Sequence, residues 1–131
     1  MKIGRWFTGI GSVVIFVVGI LHGFRLKDLE AMIPASGLHG PLEGILKGCW
    51  LVFSGEMVAI GVIAFVMSRM QGGGPIVLLC AATMAFNAGI LLHFVGPALP
   101  IYITLFVMLM FLIGGILQRK VEPIGKSAAT A

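Results

Sequence analysis

Charged residues are scarce in this chain. They make up 11% of its 131 residues, whereas hydrophobic residues make up 59% and the mean hydropathy is +1.10. Soluble domains usually contain about 25% charged residues. The composition therefore excludes an ordinary soluble domain and predicts a protein whose solvent is the lipid bilayer. The length leaves room for a single domain.

Cysteine is also scarce: the chain has two, Cys49 and Cys80. On the topology derived below, the two lie near opposite faces of the bilayer, about 20 Å apart. The Cα atoms of a disulfide are only about 6 Å apart. We therefore interpret both cysteines as packing residues, which carry no information about the redox compartment.

Several motifs of soluble enzymes and nucleic-acid-binding proteins are missing. The glycine run at residues 72–74 has no Lys-Ser/Thr pair after it, so it predicts a turn rather than a phosphate-binding loop. The sequence has no Ser-His-Asp pattern and no carboxylate pair suited to glycoside hydrolysis. The net charge of +4 is not clustered on an amphipathic or aromatic-rich segment, so we set nucleic acid aside as a partner.

Four apolar runs are each about long enough to cross a hydrocarbon layer of about 30 Å at about 1.5 Å per residue. We predict transmembrane helices over residues 6–24, 45–69, 75–95 and 98–118, a first loop over 25–44 and a cytoplasmic tail over 119–131. The last three spans are joined by short links rich in Gly and Pro, so they form antiparallel hairpins. The predicted fold is an all-α integral membrane protein, an antiparallel bundle of four transmembrane helices.

The first loop has a helical pattern of its own. Leu26, Leu29 and Met32 recur at a spacing of three, with charged residues between them. This pattern predicts a short helix that lies in the membrane interface and ends at Pro34.

The distribution of basic residues predicts the orientation of the chain. One side of the predicted membrane holds Lys2, Arg5, Arg69, Arg119, Lys120 and Lys126, and the other holds Arg25, Lys27 and Lys47. The positive-inside rule then places both termini in the cytoplasm, at a plasma-type membrane such as the bacterial inner membrane.

Glu56 is a carboxylate within the second predicted span. It lies eight residues beyond Gly48, where the uncharged run begins, roughly 12 Å deep. A charge at that depth costs about 2.5–3.5 kcal/mol, so Glu56 needs a partner or a proton. Asn87 lies at nearly the same depth on the next span. We predict a hydrogen bond between them, which is either an interhelical clasp or part of a site for a ligand, a proton or catalysis.

Three further polar aromatic side chains lie on the same predicted side of the membrane. His22 and His93 end the first and third spans, and Tyr102 is near the start of the fourth. They are candidates, with Glu56 and Asn87, for a ligand or proton site. Because imidazole binds zinc, copper and iron, the candidate metal ligands are His22, His39 and His93. The alternative is that these side chains simply rest at the membrane interface.

Small residues predict where helices approach each other closely. The spacings are Gly19-x-x-x-Gly23, Gly44-x-x-x-Gly48 and Gly55-x-x-x-Ala59. A group in the fourth span has no polar member and is predicted to face lipid or a partner subunit; it consists of Phe106, Met108, Met110 and Phe111.

Short segments resemble known families. "GEMVAIGVIAF" (residues 55–65) resembles the glutamate-bearing second span of the DoxX-like group of small four-span bacterial membrane proteins, and "GILHGF" (19–24) resembles related uncharacterised families. "LHGPLEGIL" (38–46) and "AFNAG" (85–89) resemble, more faintly, membrane isomerases of the styrene-oxide type, which bind haem b between protomers. This second resemblance implies His39 as a haem ligand and Asn87 as a substrate-orienting group.

Together these features predict an accessory or hydrophobic-ligand-binding subunit that self-associates as a homo-oligomer or joins a larger membrane complex. One alternative is a membrane-embedded haem- or metal-dependent enzyme, of the isomerase or oxidoreductase type, that acts on a lipophilic substrate with Glu56 as its catalytic acid. A third is a small proton-coupled transporter in which Glu56 carries the proton.

Overall fold

The computed structural model describes residues 2–37 and 39–119, a part of the chain that is helical and contains no strand. Its elements are α1 (Lys2–Phe24), α2 (Leu26–Met32), the 3-10 helix Pro34–Ser36, α3 (Pro41–Arg69), α4 (Gly74–Val95) and α5 (Leu99–Arg119). The helices α1, α3, α4 and α5 are long and apolar enough to cross a membrane. The predicted all-α bundle of four membrane-spanning helices is confirmed. The predicted tail, apart from Arg119, lies outside the described residues.

Proline and glycine define where these helices begin and end. Pro41 and Pro75 stand in the first turns of α3 and α4, where the missing N–H would have no acceptor within the helix. α4 ends before Gly96, whose φ of 77° lies in the left-handed region that favours glycine. The largest departures from the predicted spans are at the starts of α1 and α3, which begin at Lys2 and Pro41, four residues before the predicted spans.

α2 is the short helix predicted within the first loop, but the residues on its buried face are not all the predicted ones. Leu26 and Leu29 are half-buried, whereas Met32 is 60% exposed and Ile33 is 3% exposed. After Leu29, the next apolar side chain that packs against the bundle is therefore Ile33 rather than Met32. This spacing follows from the helical period of about 3.6 residues, which a strict spacing of three does not match.

α1 lies between α3 and α5. It packs extensively against both, and α5 packs extensively against α4, so the order around the bundle is α3, α1, α5, α4. α3 and α4 are neighbours, as their short link predicts, but this is the least closely packed side of the bundle. The core between the helices includes Ile15, Met57, Ala64, Val77, Met84, Val107 and Phe111.

Glycine permits the close approach of α1 and α3. A Cβ atom on Gly19 would lie 2.8 Å from the Met57 Cβ and 3.0 Å from the Ser54 carbonyl oxygen. A Cβ atom on Gly61 would lie 2.9 Å from the carbonyl oxygen of Ser12. The two backbones can come this close because no side chain intervenes, and the predicted close packing at Gly19 is confirmed.

Some predictions about which way a residue faces were wrong. Gly44, Gly48 and Gly55 are exposed, with no atom within 4 Å of where their Cβ would be, so they mediate no helix contact in the described bundle. Phe111, predicted to face lipid or a partner, is fully buried, and Cys49, predicted to pack inside, is exposed. Residue type alone does not say which side of a helix meets its neighbours.

The two ends of the described chain are joined by side chains. Gln118, in the last turn of α5, donates hydrogen bonds from Nε2 to the Thr8 Oγ1 at 2.8 Å and to the Gly4 carbonyl at 3.4 Å. The Thr8 hydroxyl in turn donates to the Gly4 carbonyl at 3.1 Å. The polar groups at this contact between α1 and α5 therefore satisfy one another.

Candidate functional site

Glu56 of α3 and Asn87 of α4 meet across the loosely packed side of the bundle. Asn87 Nδ2 donates a hydrogen bond of 3.1 Å to Glu56 Oε1. Asn87 is 7% exposed and Glu56 is half-buried. The predicted hydrogen bond is present, and it gives the carboxyl group a donor between two helices that are long and apolar enough to cross a membrane. A role of this pair in proton transfer, ligand binding or catalysis stays a prediction.

His22, near the end of α1, is attached to α3 through its ring. Its Nδ1 lies 2.8 Å from Ser54 Oγ, and the same hydroxyl donates its single hydrogen to the Trp50 carbonyl at 2.8 Å. With the Ser54 hydrogen assigned to the Trp50 carbonyl, Nδ1 is the donor in the first contact, and a neutral ring then has its lone pair on Nε2. Trp50 Nε1 also donates to the His22 carbonyl at 2.8 Å, and the two rings stack with centroids 3.9 Å apart. These contacts make His22 a structural link between α1 and α3.

The other predicted polar residues are at the surface. His39 is exposed in the segment before α3, His93 is exposed with its ring 4.7 Å from that of Phe94, and Tyr102 is 60% exposed. In the described ranges, no hydrogen bond joins these residues to Glu56 or His22, and no three His, Cys, Asp or Glu side chains come together as a metal site. The structure therefore forms two separate polar contacts rather than one pocket.

A groove runs along the boundary of α1 and α3 on the outward face of the bundle; we call it the α1–α3 groove. Its volume is about 540 Å³. Its apolar lining includes Trp6, Gly9, Ile10 and Val13 of α1 and Phe65 of α3. Gly9 keeps the groove open, because no atom lies within 4 Å of where its Cβ would be.

A smaller hollow of about 220 Å³ continues the groove along the same helix boundary. It shares Val13 and Phe65 with the groove and adds Phe16 and Gly61. From Arg5 to Phe16, the groove and the hollow together follow α1 over about 16 Å at about 1.5 Å per residue. The two form one continuous apolar surface.

Two arginines stand at one end of the groove. Arg5 Nη2 donates to the Arg69 carbonyl at 3.5 Å, beside the end of α3. The Arg69 guanidinium lies over the Phe65 ring, 4.9 Å from its centroid, in a cation–π contact. Both guanidinium groups are therefore held next to the apolar lining of the groove.

The sequence pattern does not reveal the groove. In the sequence, Arg5 and Arg69 indicate only the orientation of the chain. The one local signal is that Trp6, Ile10 and Val13 share a helix face with Gly9, so that a single small residue interrupts a row of large ones. That signal does not say which residues of another helix lie opposite.

The chain matches no family model, no curated protein and no solved structure. The resemblances to DoxX-like proteins and to isomerases of the styrene-oxide type therefore stay predictions, as does the haem b that the second implies. The geometry of the described residues is thus the basis for any statement about what this small membrane protein does.

Proposed function

We propose that this protein binds a lipophilic ligand within the membrane and that the ligand occupies the α1–α3 groove. The observation that carries the proposal is the groove itself, an apolar cleft of about 540 Å³ with two arginines at one end. Ligand sites commonly have volumes of about 300–1,000 Å³, a mostly apolar lining and a few polar groups that orient the ligand. The groove meets each of these conditions.

The groove opens toward lipid rather than toward the bundle interior. Trp6 is 73% exposed, Val13 is 57% exposed and Phe65 is 40% exposed. A ligand dissolved in the bilayer can therefore enter sideways without crossing water. Since lipid tails and the groove lining are similarly apolar, the shape of the groove and the polar groups at its end supply the selectivity.

A glycine substitution tests the proposal. Gly9→Leu places a side chain in the open middle of the groove, and it should disturb the fold little because nothing lies within 4 Å of the Cβ position. Gly89→Leu on α4 is the matched control, since Gly89 has the same free space but lies outside the groove lining.

The probe for this test is a long-chain alcohol that carries a photoreactive diazirine. In detergent-solubilised wild-type protein, cross-links are expected on the groove residues of α1 and α3, and Gly9→Leu should reduce them several-fold while Gly89→Leu leaves them unchanged. Labelling spread evenly over the four long helices and indifferent to Gly9→Leu would refute the proposal.

In this proposal the chain is an accessory subunit that self-associates or joins a larger membrane complex. Met84 and Phe111 fill the bundle interior, at 1% and 0% exposure, so the ligand stays at the outward surface where a second membrane chain can reach it. Native mass spectrometry from mild detergent is expected to show a homo-oligomer or a co-purifying membrane protein. A lone monomer would count against this part of the proposal.

The proposed orientation has the basic end of the bundle, defined by Arg5, Arg69 and Arg119, in the cytoplasm of a bacterial inner membrane. All three lie where α1 begins and where α3 and α5 end, and the positive-inside rule favours this side. In intact cells, a membrane-impermeant maleimide should label Ser36→Cys at the opposite end but not Gln71→Cys, each made in a Cys49→Ser/Cys80→Ser background because Cys49 is exposed. The reverse labelling would invert the proposed topology.

A further inference from the structure

The positive charge at the end of the α1–α3 groove has no counter-charge in the described part of the chain. Arg5 and Arg69 form no ion pair there. At the opposite end of the bundle, by contrast, Lys47 lies 3.3 Å from Glu30 and 2.8 Å from Glu43. Among the described residues, Lys47 is thus paired with carboxylates at one end, whereas Arg5 and Arg69 have no carboxylate partner at the other.

The acidic residues of the described ranges all lie away from the groove. Asp28 and Glu30 are in α2, Glu43 is in the first turn of α3, and Glu56 is bonded to Asn87. An anionic ligand group beside the two guanidinium groups would therefore meet two positive charges and no carboxylate of the described residues. Guanidinium groups bind phosphate especially well, because their N–H donors match two phosphate oxygens at once.

The length of the groove along α1 matches the thickness of the hydrocarbon in one leaflet of a membrane. Trp6, next to Arg5, is 73% exposed, and exposed Trp side chains commonly mark the boundary between headgroups and hydrocarbon. From this boundary, the groove and its hollow follow α1 for about 16 Å. The hydrocarbon of one leaflet is about 15 Å deep, half of the roughly 30 Å core.

We infer that the α1–α3 groove binds an anionic phospholipid of the adjacent leaflet. Arg5 and Arg69 hold its phosphate, and one acyl chain lies along Gly9 and Val13 toward Phe16. The inference rests on the proposed function, because it names the ligand of the same groove. A membrane lipid fits better than free phosphate because the charged end and the apolar cleft form one continuous site.

The test compares two lipids with identical acyl chains, phosphatidylglycerol and phosphatidylcholine, titrated into the purified full-length protein and followed by native mass spectrometry. The wild-type protein should bind phosphatidylglycerol on the order of tenfold more tightly, since two arginines meet a net negative headgroup. The double variant Arg5→Gln/Arg69→Gln should bind both lipids equally. Arg119→Gln removes a charge at the same end but outside the groove lining, and it should keep the wild-type preference.

Two results would overturn the inference. They are equal binding of the two lipids by the wild-type protein and a preference that persists in the double variant. Circular dichroism checks that the double variant remains helical; if it does not fold, Arg5→Gln and Arg69→Gln are measured singly, and each should reduce the preference.

Labelling with the long-chain alcohol separates the inference from the function on which it rests. If Gly9→Leu still reduces labelling of the groove while the lipid preference is absent, the groove takes another lipophilic ligand and the inference alone fails. If Gly9→Leu changes neither labelling nor lipid binding, the proposed function fails as well.

Discussion

The amide of Asn87 and the carboxyl group of Glu56 join α3 and α4 through a hydrogen bond of 3.1 Å. These two helices form the side of the bundle with the least mutual packing. A hydrogen bond therefore joins the two neighbouring helices that have the fewest apolar contacts with each other. In the hydrocarbon of a membrane, no water competes for such a bond.

A double-mutant cycle measures what this bond contributes. Glu56→Ala, Asn87→Ala and the double variant are expected to give a coupling free energy of about 0.6–2 kcal/mol, the range found for interhelical hydrogen bonds in membranes. The measurement is the free energy of unfolding in detergent micelles. Glu56→Gln is the control, because its amide oxygen can still accept from Asn87 and should preserve most of the stability. Single effects that add without coupling would show that the bond contributes nothing.

The glycines of α3 should differ sharply in their tolerance of alanine. Gly61→Ala brings a Cβ to 2.9 Å from the Ser12 carbonyl oxygen, so we expect a loss of about 1–3 kcal/mol from overpacking. Gly55→Ala on the same helix meets no atom within 4 Å and should be neutral or stabilise by up to about 1 kcal/mol through helix propensity. Thermal unfolding of both variants checks the contrast, and equal effects would argue against the observed crossing of α1 and α3.

His22 should have a defined tautomer. Because the Ser54 hydroxyl gives its hydrogen to the Trp50 carbonyl, neutral His22 is expected to be protonated on Nδ1 and to have its lone pair on Nε2. Nitrogen-15 NMR of labelled histidine reports this directly, with the exposed His93 as an internal comparison. His22→Phe keeps the stacking on Trp50 but loses the donor to Ser54, so it should cost about 0.5–1.5 kcal/mol. A ring protonated on Nε2 instead would show that the Ser54 hydroxyl donates to His22 rather than to the Trp50 carbonyl.

The spans and the Glu56–Asn87 hydrogen bond could be predicted because both depend only on position along the membrane normal. Hydropathy gives the length of each span, and counting residues from the ends of neighbouring helices gives the depth of each polar group. Two groups at equal depth on adjacent helices then have few other partners. The short helix α2 could be predicted for the same reason, since its pattern is local.

The groove could not be predicted because it depends on how helices are arranged sideways. Nothing in the local pattern of α1 says that Gly9 faces outward beside Phe65, or that α1 lies between α3 and α5. The same gap explains the errors at Gly55 and Phe111. A small residue permits a close contact, and a large apolar residue suits both lipid and core, but neither specifies its neighbour.

The central place of α1 has a consequence for how the protein is made. The ribosome synthesises α1 before α5, yet α5 is one of the two helices against which α1 packs, and Gln118 donates a hydrogen bond back to Thr8. During translation, α1 therefore lacks one of its two partners until α5 has been made, and the glycine face of Gly4 and Gly11 that later meets α5 stays uncovered. A nascent chain that terminates before α5 is not a smaller version of this protein but an unfinished assembly, which quality-control proteases can recognise.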